Sequence, residues 1–328
     1  MDMTQMKKIG VLTSGGDSPG MNAAIRAVTR AALYRGIEVV GIRNGYQGMI
    51  EGYFRNLKSY MVSDIIQRGG TMLKSARSDD FRTEEGRKKA YDNISREAID
   101  GLVVIGGDGT FKGARIFSSE YDVPVVGIPG TIDNDLYGTD YTIGYDTALN
   151  TIVDAVDRIR DTASSHNRLF FIEVMGKDAG FLALRGGIAS GAEAILIPEV
   201  NRDTISLKEH LEADYKRRKV SNIILVSEGD ETGGAFNIAK EVQEAFEGYD
   251  IRVTVLGHIQ RGGSPSAFDR VIASQMGVAA TQALFNGQKG TMVGMMNREI
   301  VHVPFSKTIK HHKDVNRRLL EIHDILSI

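Results

Sequence analysis

Short apolar runs alternate with longer stretches of helical spacing along this chain. Residues 9–13, 38–42, 102–105, 125–128, 169–174, 194–197, 222–227 and 251–256 are rich in Val, Ile and Leu and read as strands. Between the first two, residues 21–34 place Met21, Ala24, Ile25, Val28 and Ala32 on one side of a helix. Residues 146–162 put Leu149, Ile152, Val153, Val156 and Ile159 on one stripe, with Arg160 off it. Further helices are expected at 84–96, 111–118, from 181 to 191, and at 207–218, 236–246 and 270–285. An amphipathic tail helix is expected at 315–326, and a short one at 64–68 capped by Ser63. The stretch NGYQGMIEG is expected to be loop. Strand, turn and helix repeat through both halves, which predicts an α/β protein of doubly wound α/β/α layers with mostly parallel sheets. A length of 328 residues suggests two domains.

Glycine breaks follow the strands. SGGDSPG (residues 14–20), GGDGT (106–110) and PGTIDND (129–135) end three of them, and MGKDAG (175–180) ends a fourth. Parallel packing would line the first three turns along one sheet edge, where ligands bind in open α/β sheets. Glycines there expose backbone N–H groups at helix starts, which suits phosphate. PGTIDND adds Thr131, Asp133, Asn134 and Asp135 at the carboxyl end of a buried strand. Asp108, Asp133 and Asp135 could share a divalent ion, since Mg²⁺ usually takes one or two carboxylates plus phosphate oxygens. Arg77 lies in an irregular Ser- and Gly-flanked segment, and its guanidinium offers a bidentate fork to phosphate. Arg168, Arg252, His258 and Arg261 stand at strand ends, a set that fits a phosphate monoester dianion. Arg26 and Arg30 sit four apart on one helix face.

Composition narrows the classes. Apolar residues make up 42% and charged residues 25%, ordinary values for a globular protein. A formal net charge of −2 gives no support to nucleic-acid or membrane binding through a basic surface. Cys is absent, which excludes disulfides and thiolate metal sites. With no run of about 18 apolar residues, a cytoplasmic protein is expected. Neither G-x-x-x-x-G-K-[ST] nor G-x-G-x-x-G occurs, so a P-loop and a dinucleotide fingerprint are both unsupported.

Taken together, LTSGGDSPGMNAAIR, RGGTMLKSAR, VVIGGDGT, PGTIDNDLYGTDYTIG, RDTASSHNR, EVMGK and VLGHIQRGGSPSAFDR resemble the bacterial ATP-dependent 6-phosphofructokinases, over nearly the whole chain. That resemblance implies two Rossmann-like domains: a larger ATP-binding one from residues 1–139 plus 257–308, and a smaller fructose 6-phosphate-binding one from 140–256 plus 309–328. It implies Asp133 as the base for the sugar 1-hydroxyl, assisted by Thr131, Arg77 and Lys177. Gly16, Arg77, Ser78, Gly107, Asp108, Gly109 and Thr110 would surround ATP, and Asp108 and Asp135 would serve Mg²⁺. Thr131, Asp133, Arg168, Met175, Gly176, Lys177, Glu228, Arg252, His258, Gln260 and Arg261 would contact fructose 6-phosphate. Arg168 and Arg252 would come from a neighbouring subunit of a homotetramer. An effector site for ADP or phosphoenolpyruvate would use Arg26, Arg30, Arg160, Glu193, Arg217 and Lys219, and Ser59 occupies the place of a further effector-binding Arg.

Lys177 stands where many relatives have Arg, and Ser221 replaces a basic or imidazole residue near Lys219. These departures bear on allosteric control rather than on catalysis. A pyrophosphate-dependent relative would carry Asp at position 109 and Lys at 130; both are Gly here, which favours ATP. A catalytically silent nucleotide- and sugar-binding regulator is the other alternative, and intact Asp108 and Asp133 argue against it.

Overall fold

The computed structural model describes residues 6–164, 168–200, 207, 211, 222–229, 234–245, 250–311 and 313–327. The expected helix at 207–218 therefore lies, but for residues 207 and 211, outside the described residues, as do Arg217, Lys219 and Ser221. Contacts divide the chain into two compact units. The first comprises residues 1–132, 136–147 and 261–313; the second comprises 133–135, 148–260 and 314–328.

The first unit is built on a seven-stranded sheet. Its strands are β1 (Lys8–Thr13), β2 (Glu38–Ile42), β3 (Phe54–Leu57), β4 (Gly101–Gly106), β5 (Val125–Pro129), β10 (Thr291–Met296) and β11 (Glu299–Pro304). Their order is β11-β10-β5-β4-β1-β2-β3, parallel from β10 through β2, with antiparallel strands at both edges. Alternation along each central strand sends successive side chains to opposite faces. Ile9, Val11, Val103, Ile105, Val126 and Ile128 enter one core cluster, with Met21, Ala24, Ile25 and Val28 of helix α1 (Met21–Tyr34). Leu12, Leu102, Val104 and Val125 enter the other, with Ile94 of α3 (Glu84–Arg96) and Phe111, Ala114 and Phe117 of α4 (Asp108–Tyr121). Both faces are dry, which is why these strands read as continuous apolar runs. Helix α8 (Ala267–Phe285) packs along α1 so closely that a Cβ on Gly277 would lie 2.5 Å from the Ala27 Cβ.

The second unit holds a fully parallel four-stranded sheet in the order β7-β8-β6-β9. These strands are β6 (Arg168–Val174), β7 (Ala194–Leu196), β8 (Asn222–Ser227) and β9 (Asp250–Val255). Helices α6 (Phe181–Ser190) and α7 (Gly234–Ala245) pack on it, the latter through Ala235, Ile238 and Val242 against Leu169, Phe171, Ile224 and Val226. The tail helix (Arg317–Leu326) is fastened by His323, whose Nε2 is 2.9 Å from the Ala192 carbonyl.

Three local expectations are corrected. Residues 64–68 are turns rather than helix, because Asp64 has φ 53°, outside the helical region. NGYQGMIEG is not loop throughout: Gly45–Glu51 is a helix, α2, terminated by Gly52 at φ 76°. Neither β3 nor the β10–β11 hairpin has a counterpart among the expected strands; the hairpin turns on Asn297 and Arg298, both at positive φ, a turn usually signalled by Asn-Gly.

The units part at residues 147, 260 and 313, a few residues beyond the 139, 256 and 308 expected. The first shift has a visible cause. Helix α5 (Tyr145–Ser164) starts inside the first unit, held there by Asp269 of α8. The Asp269 carboxylate accepts the Gly144 N–H (2.9 Å), the Thr147 N–H (2.8 Å) and the Thr147 hydroxyl (2.5 Å). In return Thr147 Oγ1 accepts the Ser266 N–H at 2.9 Å, and Ser266 Oγ caps α8 through the Asp269 N–H. Two helix N-termini thus cap one another.

Candidate active site

In the first unit β1, β4 and β5 are parallel neighbours, so the turns that follow them share the carboxyl edge of the sheet. Backbone bonds lock them together: Ser14 N–H to the Ile105 carbonyl and Gly130 N–H to the Gly106 carbonyl, each 3.0 Å. Thr110 Oγ1 donates to the Ser14 carbonyl at 3.1 Å. Helix α4 begins at Asp108, inside GGDGT, so its first-turn N–H groups and dipole point out of this edge. Tyr46 of α2 supports that turn, its hydroxyl donating to the Thr110 carbonyl at 2.6 Å while its ring stacks on Phe81 at 4.1 Å. Burial pushes the Tyr46 phenol far above its ordinary pKa, so it remains a donor.

Gly107 is half-buried, and Gly109 is exposed with open space where a Cβ would stand. Asp108 pairs with Lys112 at 2.6 Å. Gly16 lies against Arg261, where an added Cβ would sit 1.8 Å from the guanidinium Nη1. Arg77 is exposed, and Ser78 donates to Gln47 Oε1 at 2.7 Å while accepting the Phe81 N–H. Thr131 is half-buried, its carbonyl accepting from Thr142 Oγ1 at 2.6 Å. Asp133 and Asp135 follow, both half-buried and grouped by contacts with the second unit, with buried Asn134 between them at φ 54°.

In the second unit the carboxyl ends of β6, β8 and β9 carry the next set. Gln260 Oε1 accepts the Met175 N–H at 3.2 Å, and its amide donates to the Gly257 carbonyl at 2.9 Å. Glu228 accepts the N–H groups of Gly176 (3.3 Å) and Lys177 (2.7 Å) on one oxygen. Lys177 has φ 57° and its ammonium pairs with Asp178 at 3.5 Å. His258 is exposed in a 3-10 turn (Gly257–Arg261) after β9.

Arg168 and Arg252 stand elsewhere. Arg168 is the first residue of β6 and Arg252 the third of β9, both toward the amino edge of this parallel sheet. At about 3.3 Å per residue, Arg168 is roughly 20 Å from the carboxyl end of its own strand. The four expected phosphate ligands therefore do not form one cluster within a chain. Both arginines converge on Asp250, a residue absent from the expected set although the spacing Asp-x-Arg in a strand puts the two on one face.

The expected effector residues likewise split between the units. Arg26 and Arg30 of α1 line a groove of about 430 Å³ together with Tyr34 and, from α8, Ser274, Val278 and Gln282. Burial and the neighbouring Arg30 charge lower the pKa of Arg26. Arg30 donates to Ser63 Oγ at 3.4 Å, and Ser63 donates to the carbonyl of Ser59. In the second unit Arg160 donates to the Ser190 (2.7 Å) and Gly191 (2.8 Å) carbonyls and lies 3.7 Å from buried Glu193. Glu193 accepts the Ile223 N–H at 2.6 Å.

No group of three or more His, Cys, Asp and Glu able to hold a metal occurs among the described residues. No helix among them is long and apolar enough to cross a membrane.

The family model for phosphofructokinase matches residues 8–284. The chain is 60% identical over 326 residues to ATP-dependent 6-phosphofructokinase 2 of Bacteroides thetaiotaomicron, covering 99% of this chain and all of that one. It is 56% identical to ATP-dependent 6-phosphofructokinase 1 of Thermus thermophilus, covering 98% and 100%. A solved phosphofructokinase from Saccharomyces cerevisiae superposes with a TM-score of 0.87 at 38% identity, over 93% of this chain and 45% of that longer one. A pyrophosphate-dependent phosphofructokinase from Marinobacter aquaeolei shares the fold at TM-score 0.85, with 23% identity over 95% of this chain and 86% of the other. The chain belongs to the phosphofructokinase family.

Proposed function

We propose that this chain transfers the γ-phosphoryl group of ATP to the 1-hydroxyl of fructose 6-phosphate, giving fructose 1,6-bisphosphate and ADP. The observation that carries the reading is the single sheet edge where the turns after β1, β4 and β5 lie side by side. It gathers Gly16, the α4 N-terminus and Thr131, the parts a polyphosphate donor needs. The larger unit holds the nucleotide through Gly16, Arg77, Ser78, Gly107, Asp108, Gly109 and Thr110. Asp133 takes the proton as the sugar oxygen attacks phosphorus, and Thr131 positions the reacting groups. Met175, Gly176, Lys177, Glu228, His258, Gln260 and Arg261 receive the sugar phosphate.

Mg²⁺ carried by ATP supplies charge neutralisation at the β- and γ-phosphates. Asp108 suits it: the carboxylate is partly exposed on a first helical turn and faces Lys112, a cation another cation can replace. Asp135 would be the second carboxylate to hold it, within the one or two that Mg²⁺ usually takes from a protein. Arg168 and Arg252 serve the site of a neighbouring copy in a homotetramer, a reading supported by their place at the amino edge of the smaller sheet. The basic groove at Arg26 and Arg30 and the Arg160–Glu193 pair receive a phosphorylated effector such as ADP or phosphoenolpyruvate, with Arg217 and Lys219. The setting is cytoplasmic. Open space at Gly109 favours ATP over pyrophosphate.

The test is a coupled assay with fructose 6-phosphate, comparing ATP with pyrophosphate, on wild type and Asp133→Ser. The wild type turns over with ATP and not with pyrophosphate. The variant keeps sugar-phosphate binding and loses about 10²–10⁴ in kcat, the usual worth of a positioned base. Faster turnover with pyrophosphate, or a variant of near-normal kcat, overturns the assignment.

A further inference from the structure

Asp250 occupies the middle of the only strongly basic pair on the amino edge of the smaller sheet among the described residues. Its position follows from the sheet. β6 and β9 are parallel neighbours with Arg168 registered directly opposite Asp250, and Arg252 two residues further along β9 shares its face. The Asp250 carboxylate is held on both oxygens. Arg252 forks onto it, Nη1 to Oδ1 at 2.9 Å and Nη2 to Oδ2 at 2.9 Å. Arg168 adds its Nε to Oδ2 at 3.0 Å. Arg252 Nη1 also donates to the Ile251 carbonyl at 3.3 Å.

The two guanidiniums are therefore engaged differently. Both terminal nitrogens of Arg252 are committed to protein acceptors. Arg168 uses only its Nε, and its terminal fork makes no bond to another described residue. All three side chains are partly open to solvent, with 27%, 43% and 52% of Arg168, Asp250 and Arg252 exposed. A carboxylate in that setting is exchangeable for an anion from solution, because partial exposure keeps its ion pairs weak. The net charge of the trio is +1, against +2 for the bare pair.

We propose that Asp250 is the resident counter-anion of the Arg168–Arg252 pair, and that a phosphate monoester dianion binds there by taking the free fork of Arg168 and displacing Asp250 from Arg252. The inference rests on the reading that these arginines bind the sugar phosphate of a neighbouring copy. Asp250 touches neither the reacting atoms nor the substrate. It positions the two guanidiniums in the unliganded protein and competes with the incoming phosphate. Without it the like charges would splay apart when the site is empty, and the dianion would meet the full double charge.

The experiment is a saturation series in fructose 6-phosphate at fixed ATP, for wild type, Asp250→Asn, Arg252→Ala and the double variant. Asparagine keeps the volume and removes the charge. Asp250→Ser serves as a second probe of the same charge. Removing the competing anion should lower half-saturating fructose 6-phosphate by about two- to fivefold, the size expected of a half-exposed ion pair. Half-saturating ATP is the internal control, because general damage to the fold would move both. The gain should shrink in the Arg252→Ala background, where Asp250 keeps only its contact with Arg168 Nε. Higher ionic strength should shrink it. An unchanged or raised half-saturation in both Asp250 variants overturns the proposal, and so does a gain that persists undiminished without Arg252. Absence of fructose 6-phosphate turnover in the wild type would instead overturn the functional reading on which it rests.

Discussion

Asp269 joins complete burial to three hydrogen-bond donors, and its pH behaviour can be worked out from that contact set. The residue has no exposed surface, and its carboxyl is raised from an ordinary 3.8 to about 6. Burial is the main cause, Asp146 adds to it, and the donors from Thr147 and Gly144 only partly offset it. A folded pKa above the unfolded one means the native state holds the proton more tightly. That contribution is fully present below pH 3.8 and is lost as pH rises through 6, a change of about 3 kcal/mol. The protonated acid can give its proton to Thr147 Oγ1 while still accepting both N–H groups. Asparagine cannot, because in either orientation its NH₂ faces the Gly144 or the Thr147 N–H. Asp269→Asn should therefore cost about 1–3 kcal/mol near pH 4, the price of a buried unmatched donor. The deficit should vanish or reverse above pH 7, where the wild-type carboxylate is ionised in a dry site. Thermal melts of both proteins from pH 4 to 8 read this directly, at about 2–4 °C per kcal/mol for a unit of this size. A deficit that grows with pH, or one independent of pH, refutes the reasoning.

Gly16→Ala would set a Cβ 1.8 Å from the Arg261 Nη1, the far end of a flexible side chain. The fold should survive with an unchanged melting temperature, while half-saturating fructose 6-phosphate rises roughly tenfold, about 1.4 kcal/mol; an unaltered sugar response would mean Arg261 is not in the binding set. Gly109→Asp should likewise leave the melting temperature alone and raise half-saturating ATP by a similar factor, since space is open there. Gly130→Lys should behave differently, because its Cβ would point at Ile105 Cγ2 (3.0 Å) and Met21 Cε (3.1 Å) in the core. Overpacking those two side chains should cost about 1–3 kcal/mol, so a normal melt would contradict the packing. Tyr46→Phe removes the donor to the Thr110 carbonyl and should lower stability by about 1–3 kcal/mol; the check is whether half-saturating ATP worsens along with the melt, as a prop under the α4 N-terminus requires.

What the sequence made legible follows from how far each feature depends on its immediate neighbours in the chain. Val103, Ile105, Val126 and Ile128 and their alternating partners Leu102, Val104 and Val125 declare strands buried on both faces, and the glycine turns after them fall where such strands must end. Parallel order then brings GGDGT and PGTIDND to one edge with no further information. The α2 helix was hidden because its Gly45 and Gly48 are poor helix formers, kept helical by contact: a Cβ on Gly48 would strike the Arg43 carbonyl at 1.5 Å. Asp269 and Asp250 were hidden for another reason. Each is an ordinary acidic residue in sequence, and each acquires its role from elements far along the chain, Thr147 in one case and Arg168 in the other.

That difference also bears on the basic residues at strand ends. Arg168, Arg252 and His258 all flank strands, and a linear sequence marks proximity to a strand end without saying which end the ligand uses. In a parallel sheet the two edges are chemically distinct: helix N-termini and turn glycines gather at the carboxyl edge, strand entrances at the other. Arg168 and Arg252 stand at the entrances, so whatever anion they bind must approach that edge, where Asp250 already pairs with both.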